Sequence, residues 1–249
     1  MSHRRGAAAV SQTGGLRALV LAGGLGTRLR PVVPDLPKVL APVAGVPFLA
    51  HVLGWLQRWG VREVVLCLGY RAEQVIAAAP GLAAPDQRLH FSVEPEPRGT
   101  AGALRLARGW AGERVLVLNG DSLPALDLGA MVAAHRALGC PCTLAAARVP
   151  DGARYGTLEV AGDGRVRAFG AAGTPGPALV NAGVYLLEPE AWPHLEAGDS
   201  LERDVLPRMA AVGALGAFAG DVGFADMGTP EGYRQIAGRV TGDGHAHPQ

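Results

Sequence analysis

Residues 17–43 read RALVLAGGLGTRLRPVVPDLPKVLAPV, and the way this stretch is punctuated decides the fold. The apolar run Ala18-Leu19-Val20-Leu21 suits a buried strand. Gly23, Gly24 and Gly26 then let the backbone turn tightly and turn bare N–H groups toward an anion. Arg28 and Lys38 follow as two fixed positive charges. Pro31, Pro34, Pro37, Pro42 and Pro47 forbid a helix before about residue 47. A dinucleotide fingerprint, whose glycines open directly into a helix, is thereby excluded. No Gly-Lys-Ser or Gly-Lys-Thr occurs, so the loop is not of the Walker type either. The pattern predicts a long, extended, proline-pinned loop that keeps Lys38 away from Arg28 and holds a polyphosphate.

Outward from that loop, strand-like runs at 17–22, 62–68, 89–94 and 114–119 alternate with helical patterns at 47–59, 71–79, 100–109 and 127–138. The alternation predicts an α/β fold with a Rossmann-like, mostly parallel mixed sheet flanked by helices. Ligands of such sheets gather beyond the carboxyl ends of the strands, where the glycine loop, Glu94 and Asp121 all fall. The second half is less regular. Strands are expected at 142–148, 155–160, 165–170 and 179–187, with a hairpin turn at Gly162-Asp163-Gly164, then helices at about 200–212 and 230–239. One domain over 17–240 is expected, in halves of 17–125 and 126–240, with loose tails at 1–16 and 241–249.

Bulk properties exclude several classes. In a chain of 249 residues, an apolar fraction of 49% supports a sizeable core, and a net charge of +1 provides no basic field for nucleic acid. Three cysteines, Cys67, Cys140 and Cys142, form neither a disulfide framework nor a metal-binding pattern and suit a reducing compartment. The N-terminus has too short an apolar run for a signal peptide, and no stretch is long enough to span a membrane. A cytoplasmic protein without membrane or nucleic-acid partners is expected.

GGLGTRLRPVVPDLPKVLAPV resembles the signature of the sugar-1-phosphate nucleotidylyltransferases, the nucleotide-sugar pyrophosphorylases. Arg98-Gly99-Thr100-Ala101-Gly102-Ala103, Leu118-Asn119-Gly120-Asp121, Arg154-Tyr155-Gly156, Asn181-Ala182-Gly183-Val184-Tyr185 and the run from Phe224 to Glu231 resemble further family landmarks, in family order. The resemblance implies the nucleotide-diphospho-sugar transferase fold, with residues 17–125 as nucleotide-binding half and 126–240 as sugar-binding half. It also implies the reaction. A sugar 1-phosphate oxygen attacks the α-phosphorus of a nucleoside triphosphate in line, giving a nucleotide sugar and pyrophosphate. A phosphate monoester with a second pKa near 6 is already an ionised nucleophile, so positioning and charge cancellation are what the protein supplies.

By this resemblance Arg28 and Lys38 are the catalytic cations, Arg28 on the departing pyrophosphate and Lys38 near the α-phosphate. Leu21, Ala22, Gly23, Gly24, Gly26, Thr27, Glu94, Gly99 and Thr100 would bind the nucleotide. Asn119, Tyr155, Gly156, Glu159 and Asn181 would bind the sugar. Asp121 and Asp226 would share one Mg²⁺ with phosphate oxygens, a hard-ion site that retains waters. Taken alone, Asp121 at the end of VLVLNGD is more often a turn residue, and the alternative for Glu94 is a capping or solvent-facing carboxylate. As a base reader Glu94 only accepts hydrogen bonds, and guanine offers two adjacent donors, N1–H and the 2-amino group. Uracil and thymine would suit a glutamine, and adenine would be repelled at N1. GTP is therefore the expected donor.

The overall pattern most resembles the guanylyltransferases that act on D-glycero-α-D-manno-heptose 1-phosphate, with mannose 1-phosphate or another base as the nearest alternatives. One departure stands out. Where the family carries an acidic residue and a lysine that reaches the sugar phosphate, this chain reads Phe169-Gly170-Ala171-Ala172-Gly173. Arg154, Arg165 or Arg167 are the available substitutes. A catalytically silent nucleotide-sugar sensor is a second reading, opposed by the presence of Arg28, Lys38, Asp121 and Asp226. A glycosyltransferase would need a DxD motif, which Asp121-Ser122-Leu123 does not supply. Assembly into a homo-oligomer is left open.

Overall fold

The run after Leu16 forms β1 (Arg17–Leu21), whose Ala18 and Val20 enter one buried layer while Leu19 enters the other. The computed structural model describes residues 13, 15–26, 29, 33, 35–171, 173, 175–227 and 230–242. A short hairpin, β2 (Pro42–Val43) and β3 (Val46–Pro47), leads into α1 (Phe48–Arg58). Then follow β4 (Glu63–Leu68), α2 (Ala72–Ala78), β5 (Arg88–Val93), α3 (Gly99–Ala107), β6 (Val115–Asn119), β7 (Ser122–Ala125) and α4 (Leu128–Leu138). The second half adds β8 (Cys142–Val149), β9 (Thr157–Val160), β10 (Val166–Gly170), β11 (Ala178–Leu187), α5 (Leu206–Ala211), β12 (Leu215–Phe218), β13 (Gly223–Asp226) and α6 (Pro230–Gly242).

The main sheet has nine strands, in the order β10-β9-β11-β6-β1-β4-β5, with β8 and β12 branching from β11. β6, β1, β4 and β5 are parallel, as the alternation of apolar strands and helices requires. β11 joins β6 antiparallel and carries the second half onto the same sheet. Helices cover both faces. Phe48, Leu49, Val52 and Leu53 of α1 pack against Val20, Val64, Leu66 and Leu118. On the other face, Ala101 and Leu104 of α3 and Leu206 and Met209 of α5 pack against Leu19, Val65, Val117 and Tyr185. Successive residues of one strand thus feed opposite layers, each fully buried leucine contributing about 1.5–3 kcal/mol.

Several features depart from the sequence expectation, β12 among them. The loop before residue 47 contains a turn of 3₁₀ helix at Lys38–Leu40, because the four residues between Pro37 and Pro42 leave room for this tighter helix. The helix expected at 200–212 begins as a π turn, Leu201–Val205, before α5. The four-residue strands β7 and β13 were not foreseen, being too short to show a period of two. They pair antiparallel with each other in a small separate sheet.

Candidate active site

β1, β4 and β6 end side by side, and the chain leaving them continues their ladders. Ala22 N–H donates to the Cys67 carbonyl at 2.8 Å, Gly120 N–H to the Leu21 carbonyl at 2.9 Å and Tyr70 N–H to the Gly23 carbonyl at 3.3 Å. The glycine turn is thereby held over the carboxyl ends of the parallel strands. A Cβ at Gly23 would stand 3.0 Å from the Gly69 nitrogen and 3.4 Å from Glu94 Oε1, so a side chain there would press on both. Above the turn lies a cleft of about 580 Å³. Of the residues assigned to the nucleotide, Leu21, Ala22, Gly23, Gly24, Glu94, Gly99 and Thr100 line it, and so does Lys38.

Gly26 is left-handed at φ +59°, and a Cβ there would lie 3.3 Å from the Lys38 Cβ. The loop therefore folds back and brings Lys38 against the glycine turn. Thr27 and Arg28 lie outside the described residues, as does the side chain of Asp226. Lys38 Nζ donates to Asp121 Oδ2 at 2.5 Å, with the lysine only 13% exposed. The backbone of Asp226 is opposite Ser122 in the β7–β13 ladder, and Met227 N–H donates to the Asp121 carbonyl at 2.8 Å. Ladder spacing puts the Cα atoms of the two aspartates within about 7 Å of one another. Among the described residues, no group of three or more His, Cys, Asp or Glu side chains is arranged to hold a metal.

Glu94 forms the capping bond that its place in the sequence allows. Its Oε2 accepts from the Arg98 N–H at 2.7 Å, a local cap that fixes the side chain, and the residue still lines the cleft. Thr100 also has a structural bond, its Oγ1 accepting from the Leu201 N–H at 2.8 Å. Cys67 lines the same cleft, but burial, then the charge of Glu94, pushes its thiol up to about 12. It is no nucleophile at neutral pH.

A second cleft, of about 350 Å³, adjoins the first and shares Asn119, Asp121 and Glu202 with it. Of the residues assigned to the sugar, Asn119, Tyr155, Gly156 and Asn181 line it. Glu159 does not. It sits opposite Ala168 in the β9–β10 ladder and is exposed, because Leu158 takes the inward position and alternation turns the next residue out. The glutamate that does reach the cleft is Glu202, on the π turn. Its Oε1 accepts from Asn119 Nδ2 at 3.3 Å, from Tyr185 Oη at 3.4 Å and from Asn181 Nδ2 at 3.5 Å. Nothing in the local sequence marks it, though π turns concentrate at functional sites.

Two candidates for the missing sugar-phosphate cation are committed elsewhere. Arg165 donates to the carbonyls of Gly213 and Leu138 and to Cys140 Sγ, and Arg167 pairs with Asp163 at 2.9 Å. Arg154 is exposed and adjoins Tyr155 and Gly156 of the second cleft in sequence.

A family profile described as nucleotidyl transferase matches residues 17–242. The D-glycero-alpha-D-manno-heptose 1-phosphate guanylyltransferase of Aneurinibacillus thermoaerophilus is 35% identical over 223 residues, covering 88% of this chain and 96% of the relative. Mannose-1-phosphate guanylyltransferase 1 of Arabidopsis thaliana is 33% identical over 230 residues, and the match spans 88% of this chain but 63% of that longer protein. Among solved structures, HddC from Yersinia pseudotuberculosis complexed with GMP-PN matches with a TM-score of 0.79 at 31% identity, covering 90% of this chain and 99% of that one.

Proposed function

We propose, on the premise that this chain belongs to the nucleotidyl transferase family, that it transfers the guanylyl group of GTP to a sugar 1-phosphate and releases pyrophosphate. Heptose 1-phosphate is the first substrate choice and mannose 1-phosphate the second, since relatives named for each are similar over 88% of the chain. The observation that carries the reading is the pair of adjoining clefts with a common wall at Asn119, Asp121 and Glu202. Two ligands seated there would meet at Asp121.

In this reading the triphosphate lies against the amides of Gly23 and Gly24, which supply donors without needing to reorganise. The sugar phosphate oxygen forms a bond to the α-phosphorus as the bridging bond to the β-phosphate breaks, and the pair of electrons leaves with pyrophosphate. Lys38 has three donors, so it can keep Asp121 and still reach phosphate oxygens. Arg28 would hold the leaving pyrophosphate. Both oxygens of Glu94 retain lone pairs for the N1–H and 2-amino donors of guanine, with Arg98 N–H occupying a single site on Oε2.

The residues suit a divalent ion. Asp121 is already paired with a cation, the Lys38 ammonium, and the β7–β13 ladder carries the backbone of Asp226 close by. Mg²⁺ bound there would neutralise charge on the α-phosphate. No helix of the described residues is long and apolar enough to cross a membrane, and a cytoplasmic location is proposed for a chain with three free buried cysteines.

The test is pyrophosphate release by the pure protein, with each nucleoside triphosphate paired against each sugar 1-phosphate. GTP with heptose 1-phosphate is the expected best pair. Clear preference for UTP or dTTP would overturn the role given to Glu94.

A further inference from the structure

We propose that Glu202 is a specificity-determining residue that binds the sugar hydroxyls, taking the place that the sequence assigns to Glu159. The proposal rests on the guanylyl-transfer reading and names the group that selects the acceptor.

Glu202 lines both clefts, and it is the carboxylate they share besides Asp121. Its position is imposed from two sides. The π turn that carries it is tied to the nucleotide side, where Leu201 N–H donates to Thr100 Oγ1 and Ala101 N–H donates to the Asp199 carbonyl, each at 2.8 Å. On the sugar side the buried phenol of Tyr185 and the amides of Asn119 and Asn181 all donate to one oxygen, Oε1. Asn181 also donates to the Tyr185 oxygen at 2.8 Å, which orders the donors among themselves. Burial, the negative charge of Glu202 and neighbouring groups push the Tyr185 hydroxyl well above its ordinary value, so it stays a donor at neutral pH.

The consequence is a carboxylate with distinct ends. Oε1 is anchored by protein donors, whereas all three of those bonds leave Oε2 untouched and available to accept from O–H groups. A second anion, such as the phosphate, would be repelled by it. Vicinal hydroxyls of a pyranose ring are the matching chemistry, since they are neutral and donate. A site built to bond a hydroxyl rejects the analogue that lacks it, because a desolvated acceptor is then left unpaired.

The same geometry supplies a discriminating substitution. In Glu202→Gln the inward donors orient the carbonyl toward themselves, which turns the amide NH₂ outward. The protein bonds survive, but the cleft is presented with a donor where it had an acceptor. We expect the KM for the preferred sugar 1-phosphate to rise about tenfold or more in Glu202→Gln and in Glu202→Ala, with the KM for GTP within about twofold of wild type. Monodeoxy analogues of that sugar phosphate provide the second measurement. In the wild type, removal of the contacted hydroxyl should lower kcat/KM by about tenfold or more, and in Glu202→Ala the same analogue should lose nothing further. An unchanged melting temperature for Glu202→Gln shows that the fold is intact. A Glu202→Gln enzyme with wild-type sugar KM and wild-type discrimination among the deoxy analogues would reduce Glu202 to a structural anchor and overturn the proposal. Wild-type protein that releases pyrophosphate with no sugar 1-phosphate would instead overturn the guanylyl-transfer reading, and this inference with it.

Discussion

Lys38 and Asp121 neutralise each other across a 2.5 Å contact at the point where two clefts meet. Removing either partner leaves the other partly buried and uncompensated, and in the proposed reaction it also takes charge away from the place where phosphoryl charge is stabilised. Lys38→Met, Asp121→Asn and Asp226→Asn are each expected to lower kcat by about 100-fold or more, measured by pyrophosphate release, with far-ultraviolet circular dichroism unchanged. Glu94→Gln should cut the preference for GTP over UTP by about tenfold or more, because the amide can donate to a pyrimidine carbonyl and accept from its N3–H. The competition is read in mixtures of the two triphosphates. The residues of this cleft were legible because their signals are local: a glycine turn, a lysine between prolines and a carboxylate at a strand end. Glu202 and Glu159 were not. Which of these carboxylates reaches the second cleft depends on how β9 alternates and where a π turn docks, neither of which local composition encodes.

At the scale of elements, α4 shows how far capping rules reach. Asp127 accepts from the Ala130 N–H at its start, and Gly139 adopts φ +58° at its end, as an N-cap aspartate and a terminal glycine lead one to expect. The β7–β13 pairing was illegible for the opposite reason, since two strands of four residues, about a hundred positions apart, carry no periodic signal. α4 also carries a buried titration. His135 is 1% exposed, its Nε2 facing Glu188 at 3.1 Å and its Nδ1 facing the Thr143 hydroxyl at 2.7 Å. The carboxylate requires Nε2 to carry the proton, so the neutral ring accepts from Thr143 at Nδ1. Burial holds the His135 pKa below its usual 6.5 despite the opposing pull of Glu188, and Arg114 beside Glu188 lowers it further. The stabilisation is therefore complete above pH 6.5 and is lost as the pH falls below that value and through the lowered folded value, because the unfolded chain takes up the proton first. Urea unfolding between pH 7.5 and 5 should show this decline, and His135→Gln should flatten it.

On the scale of the molecule, the sheet was readable from alternation, because helices on both faces demand strands that are apolar throughout. The order of strands in the second half was not, because β11 pairs with three partners and shifts register between Asn181 and Tyr185. Since β1, β4 and β6 feed both buried layers, a cavity on either face should be felt by the whole. Leu66→Ala is expected to cost about 2–5 kcal/mol in urea unfolding, with one cooperative transition and the denaturant slope preserved. The common wall of the two clefts reaches further than catalysis. A nucleotide sugar retains both footholds at once, and the second anchoring event is then intramolecular, a gain of about 100-fold or more in avidity. The finished compound should consequently compete at concentrations well below the KM of either starting material, so that the enzyme slows as its own output accumulates.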